Sequence, residues 1–340
     1  MPQPRKPGIE GSLVTLKILL THTPQARNQY YGDKALQGLR EAGEVLLHDT
    51  EVALDPASLI AAARGAELIV ADRLTAAPAD VFAGLPDLRA IVRCAVDIRN
   101  IDVEAASKAG VLVTRASPGF VQSVSELAVG FMVDLSRGVS RATADYHAGR
   151  MPDVVMGRQL AGSTIGIIGY GAIGKYLARI TRALGMTVLV NDPFVTVAEP
   201  GVTQVPLDDL LRRSDYVVCL VVANVDTENL IGTAQLQLMR PHTCFINLSR
   251  GELVDEAALA AALRGKRIAG AAMDVGRARD QMPSAELAQL PNVIATPHIG
   301  GLTPPAIEHQ ALETVRQVKA IVAGEAPTGA VNAERWTRRG

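Results

Sequence analysis

The sequence is poor in aromatic residues, in cysteine and in net charge, and each shortage removes a class of function. Phe, Tyr and Trp together make 4% of the 340 residues. Its cores must therefore be built of Ala, Val, Leu and Ile, and stacked aromatic platforms for nucleic-acid bases are not expected. The three cysteines, Cys94, Cys219 and Cys244, are scattered without CxxC spacing. That fits neither a disulfide framework nor a zinc site and reads as small buried hydrophobes in a reducing compartment. Lys and Arg number 34 against 35 Asp and Glu, a net charge of −1. The basic excess that a nucleic-acid or membrane-surface binder needs is missing. No uninterrupted apolar run approaches a membrane span. In the opening MPQPRKPGIEGSLVTLKILL, Lys17 interrupts the apolar stretch and no small-residue cleavage site follows, so no signal peptide is expected. These absences point to a soluble, intracellular protein of the cytoplasm, for which no metal, nucleic-acid or membrane partner is expected.

What is present is apolar and regular. Hydrophobic residues make up 48%, enough for one or two packed cores, and the length suggests two domains. Short apolar runs alternate with helix-like stretches: strands at 14–20, 45–48, 67–71, 88–94 and 111–114, with helices over 33–42 and 56–64. Asp55-Pro56 reads as an N-cap followed by proline at the first helical position. A long apolar helix spans 120–137, its apolar residues covering more than one face. A second series of strands follows at 164–168, 187–191, 216–222, 243–247, 268–274 and 293–295, and a helix closes the chain over 304–323. Such near-continuous apolar strands separated by helices indicate parallel sheets, an α/β architecture. The single tryptophan, Trp336, falls in a polar tail, ERWTRRG, and is expected to be loose or docked at a subunit edge.

The strand at 164–168 runs into Gly169-Tyr170-Gly171-Ala172-Ile173-Gly174 and then a helix. Chance alone would give roughly 0.2 GxGxxG matches in a chain of this glycine content, so the pattern is weak without its context. The context supplies a mechanism. The first Gly makes the turn, the second lets backbone approach a pyrophosphate, and the third lets helix and strand pack closely. The helix N-terminus offers free N–H groups to phosphate. Asp192 ends the next strand, where a carboxylate can accept from both ribose hydroxyls and repel a 2′-phosphate, which favours NAD over NADP. Hydride chemistry at a hydroxyl carbon also needs a proton donor or acceptor and a cation for a carboxylate. His298, in TPHIGG, and Arg250, in NLSRGELVDE, both follow strands directly, where open α/β sheets place their ligands.

The series GIIGYGAIG, NLSRGELVDE, AAMDV and TPHIGG, in that order and spacing, resembles the D-2-hydroxyacid dehydrogenase family, which includes phosphoglycerate, lactate, formate and phosphite dehydrogenases. The resemblance implies a Rossmann-type NAD domain and a flavodoxin-like α/β substrate domain formed from both chain ends. The corresponding divisions are 12–116, 117–300 with a dimerisation helix, and 301–334, in a homodimer. It implies that Arg250 binds the substrate carboxylate, that His298 exchanges the proton, and that Asp274 holds the nicotinamide carboxamide. The cofactor set becomes Gly169, Tyr170, Gly171, Ala172, Ile173, Gly174, Asp192, Val222, Thr227, Leu248, Ser249, Asp274, His298 and Gly300. Val96, Asp97 and Arg99 join Arg250 as substrate-loop residues.

Two stretches depart from the family pattern. The DVFExEP-like stretch reads Asp274-Val275-Gly276-Arg277-Ala278-Arg279-Asp280, with Arg279 in the place of the catalytic Glu that supports the histidine. The RxGVGxDNID loop reads Arg93-Cys94-Ala95-Val96-Asp97-Ile98-Arg99-Asn100-Ile101-Asp102. Asp97 there is unfavourable beside an anion-binding loop unless it turns away or finds a cation. Three explanations stand. Asp97 pairs with Arg279 or takes over support of His298, both residues then belonging to the catalytic set. Alternatively, Asp97 marks a substrate bearing a cationic or hydrogen-bond-donating group. In the third, hydride chemistry is lost and the chain is an NAD-binding regulator or a lyase- or hydrolase-like derivative.

Overall fold

The computed structural model describes residues 16–339. The readings made on Met1–Thr15, including the first two residues of the strand read at 14–20, lie outside the described residues. The chain divides into two units, one formed by residues up to 119 together with those from 304 onward, the other by 120–303. Each passage lies three residues later than the boundary read from the sequence.

The first unit is a five-stranded parallel sheet of β1 (Lys17–Leu20), β2 (Glu44–Leu47), β3 (Leu68–Ala71), β4 (Ala90–Arg93) and β5 (Leu112–Arg115), in the order β2-β1-β3-β4-β5. This is the flavodoxin-like order. β3 and β4 are buried throughout, as strands covered on both faces must be. One face is closed by the helix Pro304–Val322, whose Ala311, Val315, Val318 and Ile321 pack with Ile18, Leu20, Val70 and Val92. Trp336 corrects the expectation of a loose tail. It is 2% exposed in that same core. The amides of Thr337 and Arg338 bond to Gly110 O, and the Arg338 guanidinium to Leu85 O and Leu88 O. The guanidiniums of Arg338 and Arg339 reach backbone carbonyls, so the ring can be buried within a polar segment.

The second unit is a seven-stranded parallel sheet: β6 (Thr164–Ile168), β7 (Thr187–Asn191), β8 (Val202–Gln204), β9 (Tyr216–Cys219), β10 (Cys244–Asn247), β11 (Gly270–Met273) and β12 (Val293–Ala295). Its order, β12-β11-β10-β9-β6-β7-β8, is the doubly wound Rossmann order with one added strand. The order reverses between β6 and β9, where such folds take their ligands. The helix Val121–Arg137 buries Val124, Ala128, Phe131 and Met132 against Ile165, Ile167 and Val188 and stops at Gly138, whose φ is 65°. Two strands end earlier than their apolar runs. β9 stops at Cys219 and β11 at Met273, which frees Leu220–Val222 and Asp274 to turn away at the carboxyl edge. The chain is thus an α/β protein built from two parallel sheets, and among the described residues no helix is long and apolar enough to cross a membrane.

Candidate active site

The glycine loop leaves β6 at the reversal point of the second sheet. Gly169 has φ +96°, and a Cβ there would lie 2.9 Å from Leu220 C and Val221 N. Gly174 is held by contact of another kind, since its Cβ would stand 2.2 Å from Gly169 O. Gly171 differs from both. Nothing lies within 4 Å of its Cβ position, and it caps the helix Ala172–Ala183 with no side-chain hydrogen bond. The protein itself does not need that glycine. Open space before an uncapped helix N-terminus suits a pyrophosphate that must approach the backbone.

Asp192 lies at the end of β7, facing this loop. Its Oδ2 accepts the Tyr170 amide at 2.8 Å and its Oδ1 the Phe194 amide at 2.9 Å. Each oxygen keeps a further lone pair. The Tyr170 hydroxyl donates to Glu199, and burial, followed by that carboxylate, pushes the phenol up to about 12. Tyr170 therefore grips the segment after β7 at both ends. Gln204 closes it from below, donating to Asp192 O and Val195 O. Phe194, which the sequence reading passed over, leaves its ring almost fully exposed beside the loop. After β9, Thr227 Oγ1 donates to Val222 O at 2.9 Å and accepts from Asn224 N at 2.8 Å, closing a tight loop with Val222 exposed.

β10 ends in a self-bracing turn. Buried Asn247 accepts Ser249 N at 3.1 Å and donates to Arg250 O at 2.8 Å. Ser249 Oγ donates to Val221 O, Leu248 is buried, and Arg250 bonds Ser249 O at 2.7 Å. Asn247 was not among the sequence candidates, although an Asx residue closing a strand is a readable turn signal.

Asp274, just past β11, is 2% exposed. Its Oδ1 accepts Thr296 Oγ1 at 2.5 Å and Ile299 N at 2.8 Å, while Oδ2 accepts Gly300 N at 2.8 Å. A Cβ at residue 300 would come 2.8 Å from that oxygen, so the carboxylate requires the glycine. Three donors make the buried charge tolerable. In return the carboxylate fixes the loop carrying His298, a non-glycine residue held at φ 57°. His298 Nδ1 stands 3.3 Å from the main-chain carbonyl of Asp280.

Asp97 finds its cation two residues away: Arg99 Nε lies 3.1 Å from both carboxylate oxygens and Nη2 2.9 Å from Oδ2. Repulsion of an anion by Asp97 is thereby offset within the loop. Asp97 thus pairs with Arg99 inside its own loop, and Arg279 is exposed. Beneath this loop Arg93 is fully buried and bonds Thr75 O at 2.8 Å, Asn100 Oδ1 at 2.7 Å and Asp72 O. Burial lowers its pKa to about 10, which leaves it charged at neutral pH. It fixes the two ends of the segment that carries Val96 and Asp97. The cysteines are inert: burial pushes Cys94 and Cys219 up to about 12 and Cys244 to about 11. No metal-holding group of three or more His, Cys, Asp or Glu occurs among the described residues.

A family model for the NAD-binding domain of D-isomer specific 2-hydroxyacid dehydrogenases matches residues 129–300. The chain is 34% identical over 276 residues to the (S)-sulfolactate dehydrogenase of Chromohalobacter salexigens, covering 80% of this chain and 89% of that protein. It is 33% identical over 305 residues to the D-3-phosphoglycerate dehydrogenase of Methanocaldococcus jannaschii, covering 88% of this chain but 57% of that protein. The chain thus spans little more than half the length of that relative. Among solved structures it is similar to D-lactate dehydrogenase with NAD+ from Lactobacillus jensenii, with a TM-score of 0.77, 27% identity, and coverage of 93% of this chain and 99% of that one.

Proposed function

The chain belongs to the D-isomer specific 2-hydroxyacid dehydrogenase family, and on that premise we propose that it transfers hydride between NAD(H) and a 2-hydroxy or 2-keto acid. One observation carries the reading. The buried Asp274 clamps the His298 loop through three hydrogen bonds, and the ring meets a carbonyl at Nδ1. A histidine whose Nδ1–H is donated to a carbonyl keeps Nε2 as its exchangeable basic nitrogen.

NAD(H), when bound, supplies or accepts the hydride. The residues that would hold it are the Gly169–Gly174 loop, Asp192 at the adenosine ribose, Val222, Thr227, Leu248 and Ser249 along the strand ends, and Asp274 and Gly300 near the nicotinamide. Arg250 binds the substrate carboxylate as a charge-assisted pair, with Val96, Asp97 and Arg99 as further substrate-loop residues. In oxidation, neutral His298 Nε2 accepts the hydroxyl proton. In reduction, the imidazolium returns a proton to the carbonyl oxygen as it becomes an alcohol.

The test is single-turnover NADH fluorescence across a panel of 2-keto acids. Stoichiometric loss of the NADH signal with one of them, abolished in H298A, is the expected result. An NAD-binding regulator would bind NADH and oxidise none.

Assembly follows from an exposed apolar segment. Met151, Val154 and Met156 are 83%, 104% and 95% exposed after the helix Val139–His147. Such a run in a water-soluble fold marks a protein contact, and the contact is a second copy of this chain. M151D/M156D is expected to shift the mass measured by light scattering from dimer to monomer. Unchanged mass would remove this segment from the interface. The free, buried cysteines support a cytoplasmic setting.

A further inference from the structure

We infer that His298 is oriented by the main-chain carbonyl of Asp280, and that Arg277 is the positioning residue that holds this carbonyl in place. The inference rests on the acid–base role proposed for His298.

The stretch in which the chain leaves its family's pattern folds as one device. Residues 276–283 turn back on themselves: Gly276 N donates to Gln281 O at 2.8 Å and Ala278 N to Met282 O at 3.0 Å. A Cβ at Gly276 would lie 2.5 Å from Pro283 Cα and 2.7 Å from Met282 O. Phe, the family's residue at that place, is therefore excluded by the fold-back itself. At the far end Asp280 and Gln281 both adopt φ 59°, a left-handed pair that only a strongly held turn sustains. Such a turn aims the Asp280 carbonyl at His298 Nδ1, 3.3 Å away.

Arg277 stands at the root of that turn. Its Nη2 bonds Glu228 Oε1 at 2.7 Å, Asn229 Oδ1 at 2.8 Å and Glu252 O at 2.9 Å. Its Nε reaches Val254 O at 3.4 Å, and its own amide donates to Glu256 Oε1 at 2.9 Å. One guanidinium thus ties the turn to the segments holding Glu228 and Glu252, the latter two residues beyond Arg250. The backbones also touch directly, since a Cβ at Gly251 would fall 2.2 Å from Gly276 C. Gly276 and Arg277 are accordingly parts of a substitute for the side-chain carboxylate. A carbonyl at Nδ1 is an acceptor that fixes the tautomer and direction of the ring.

The experiment combines 15N-histidine NMR of the full chain, with H298Q to assign the signal, and kinetics of R277A and R277K. The wild type is expected to show His298 as a single Nδ1–H tautomer at neutral pH. R277A should mix the tautomers and lower kcat by about ten- to hundredfold, with a larger solvent deuterium isotope effect and the NADH Kd within about twofold of wild type. R277K, which keeps one donor, should recover part of both signals. Unchanged tautomer and kcat in R277A would overturn the inference. So would parallel losses of NADH binding, kcat and melting temperature in both variants, which mark a merely structural residue. A wild-type tautomer that is fixed, and lost in R277A, without turnover on any 2-keto acid would uphold the positioning role and refute the dehydrogenase reading.

Discussion

At the scale of the single residue, Asp192 and His22 show opposite uses of a titratable group. Asp192 accepts two main-chain amides and has lone pairs left for a ribose. D192N removes the charge from those hydrogen bonds, each worth about 1.5–3 kcal/mol. The NADH Kd should rise about ten- to hundredfold, measured by fluorescence titration, with discrimination against NADPH reduced. His22 is buried, its Nδ1 has no partner, and burial is the first cause of a pKa lowered to about 4, outweighing the nearby Asp72 carboxylate. The folded state therefore prefers the neutral ring. Above about pH 6.5 the ring is neutral in both states and has no effect. As pH falls from 6.5 towards 4 the unfolded chain takes up a proton that the native one refuses, and roughly 3 kcal/mol of stability is lost. The melting temperature should decline over that window in the wild type and decline less steeply in H22Q.

At the scale of the element, the strand ends decide the chemistry. Asp274 is available only because β11 stops one residue before it. D274N would place an amide N–H₂ against one of the two main-chain donors, Ile299 N or Gly300 N. An unsatisfied buried donor costs about 1–3 kcal/mol. The variant should melt several degrees lower, and its kcat should fall as the His298 loop loosens, checked by calorimetry and steady-state rates together. The glycine loop was legible in the sequence because strand, turn and helix are consecutive and each glycine has a local reason. Arg250 and His298 were legible for the same reason, both falling directly after apolar runs. The partner of Asp97 was within reach, since Arg99 is two residues on, yet pairing at that spacing depends on a turn that no periodicity reveals. The acceptor for His298 was not legible at all. Every residue has a carbonyl, and only the left-handed turn at Asp280 and Gln281 distinguishes this one. Arg277 was hidden likewise, because its partners come from separate segments around residues 228, 252 and 256.

At the scale of the whole molecule, each unit owes its core to side chains that lie far apart in the chain. Trp336 is the extreme case, buried with residues of β1, β3 and β4 more than two hundred positions earlier. Truncation of a buried aromatic costs about 3–5 kcal/mol, so W336A should lower the melting temperature of the first unit strongly while NADH binding to the folded fraction is retained. The helix Pro304–Val322 has the same standing. Its buried Gln317 accepts from Thr114 Oγ1 at 2.7 Å and donates to Arg115 O and Thr328 O, satisfying the end of β5.

That helix also sets an order of events during synthesis. The five strands of the first unit leave the ribosome before the sheet of the second, but the helix that closes one of their faces is made only after residues 120–303 have been translated. At about 5–20 residues per second the apolar face of the first unit's sheet waits on the order of ten seconds or more for its cover, while the second unit can already be complete. Of the two units, the one begun earlier is the one completed later, and in a growing cell it is the one that needs shelter.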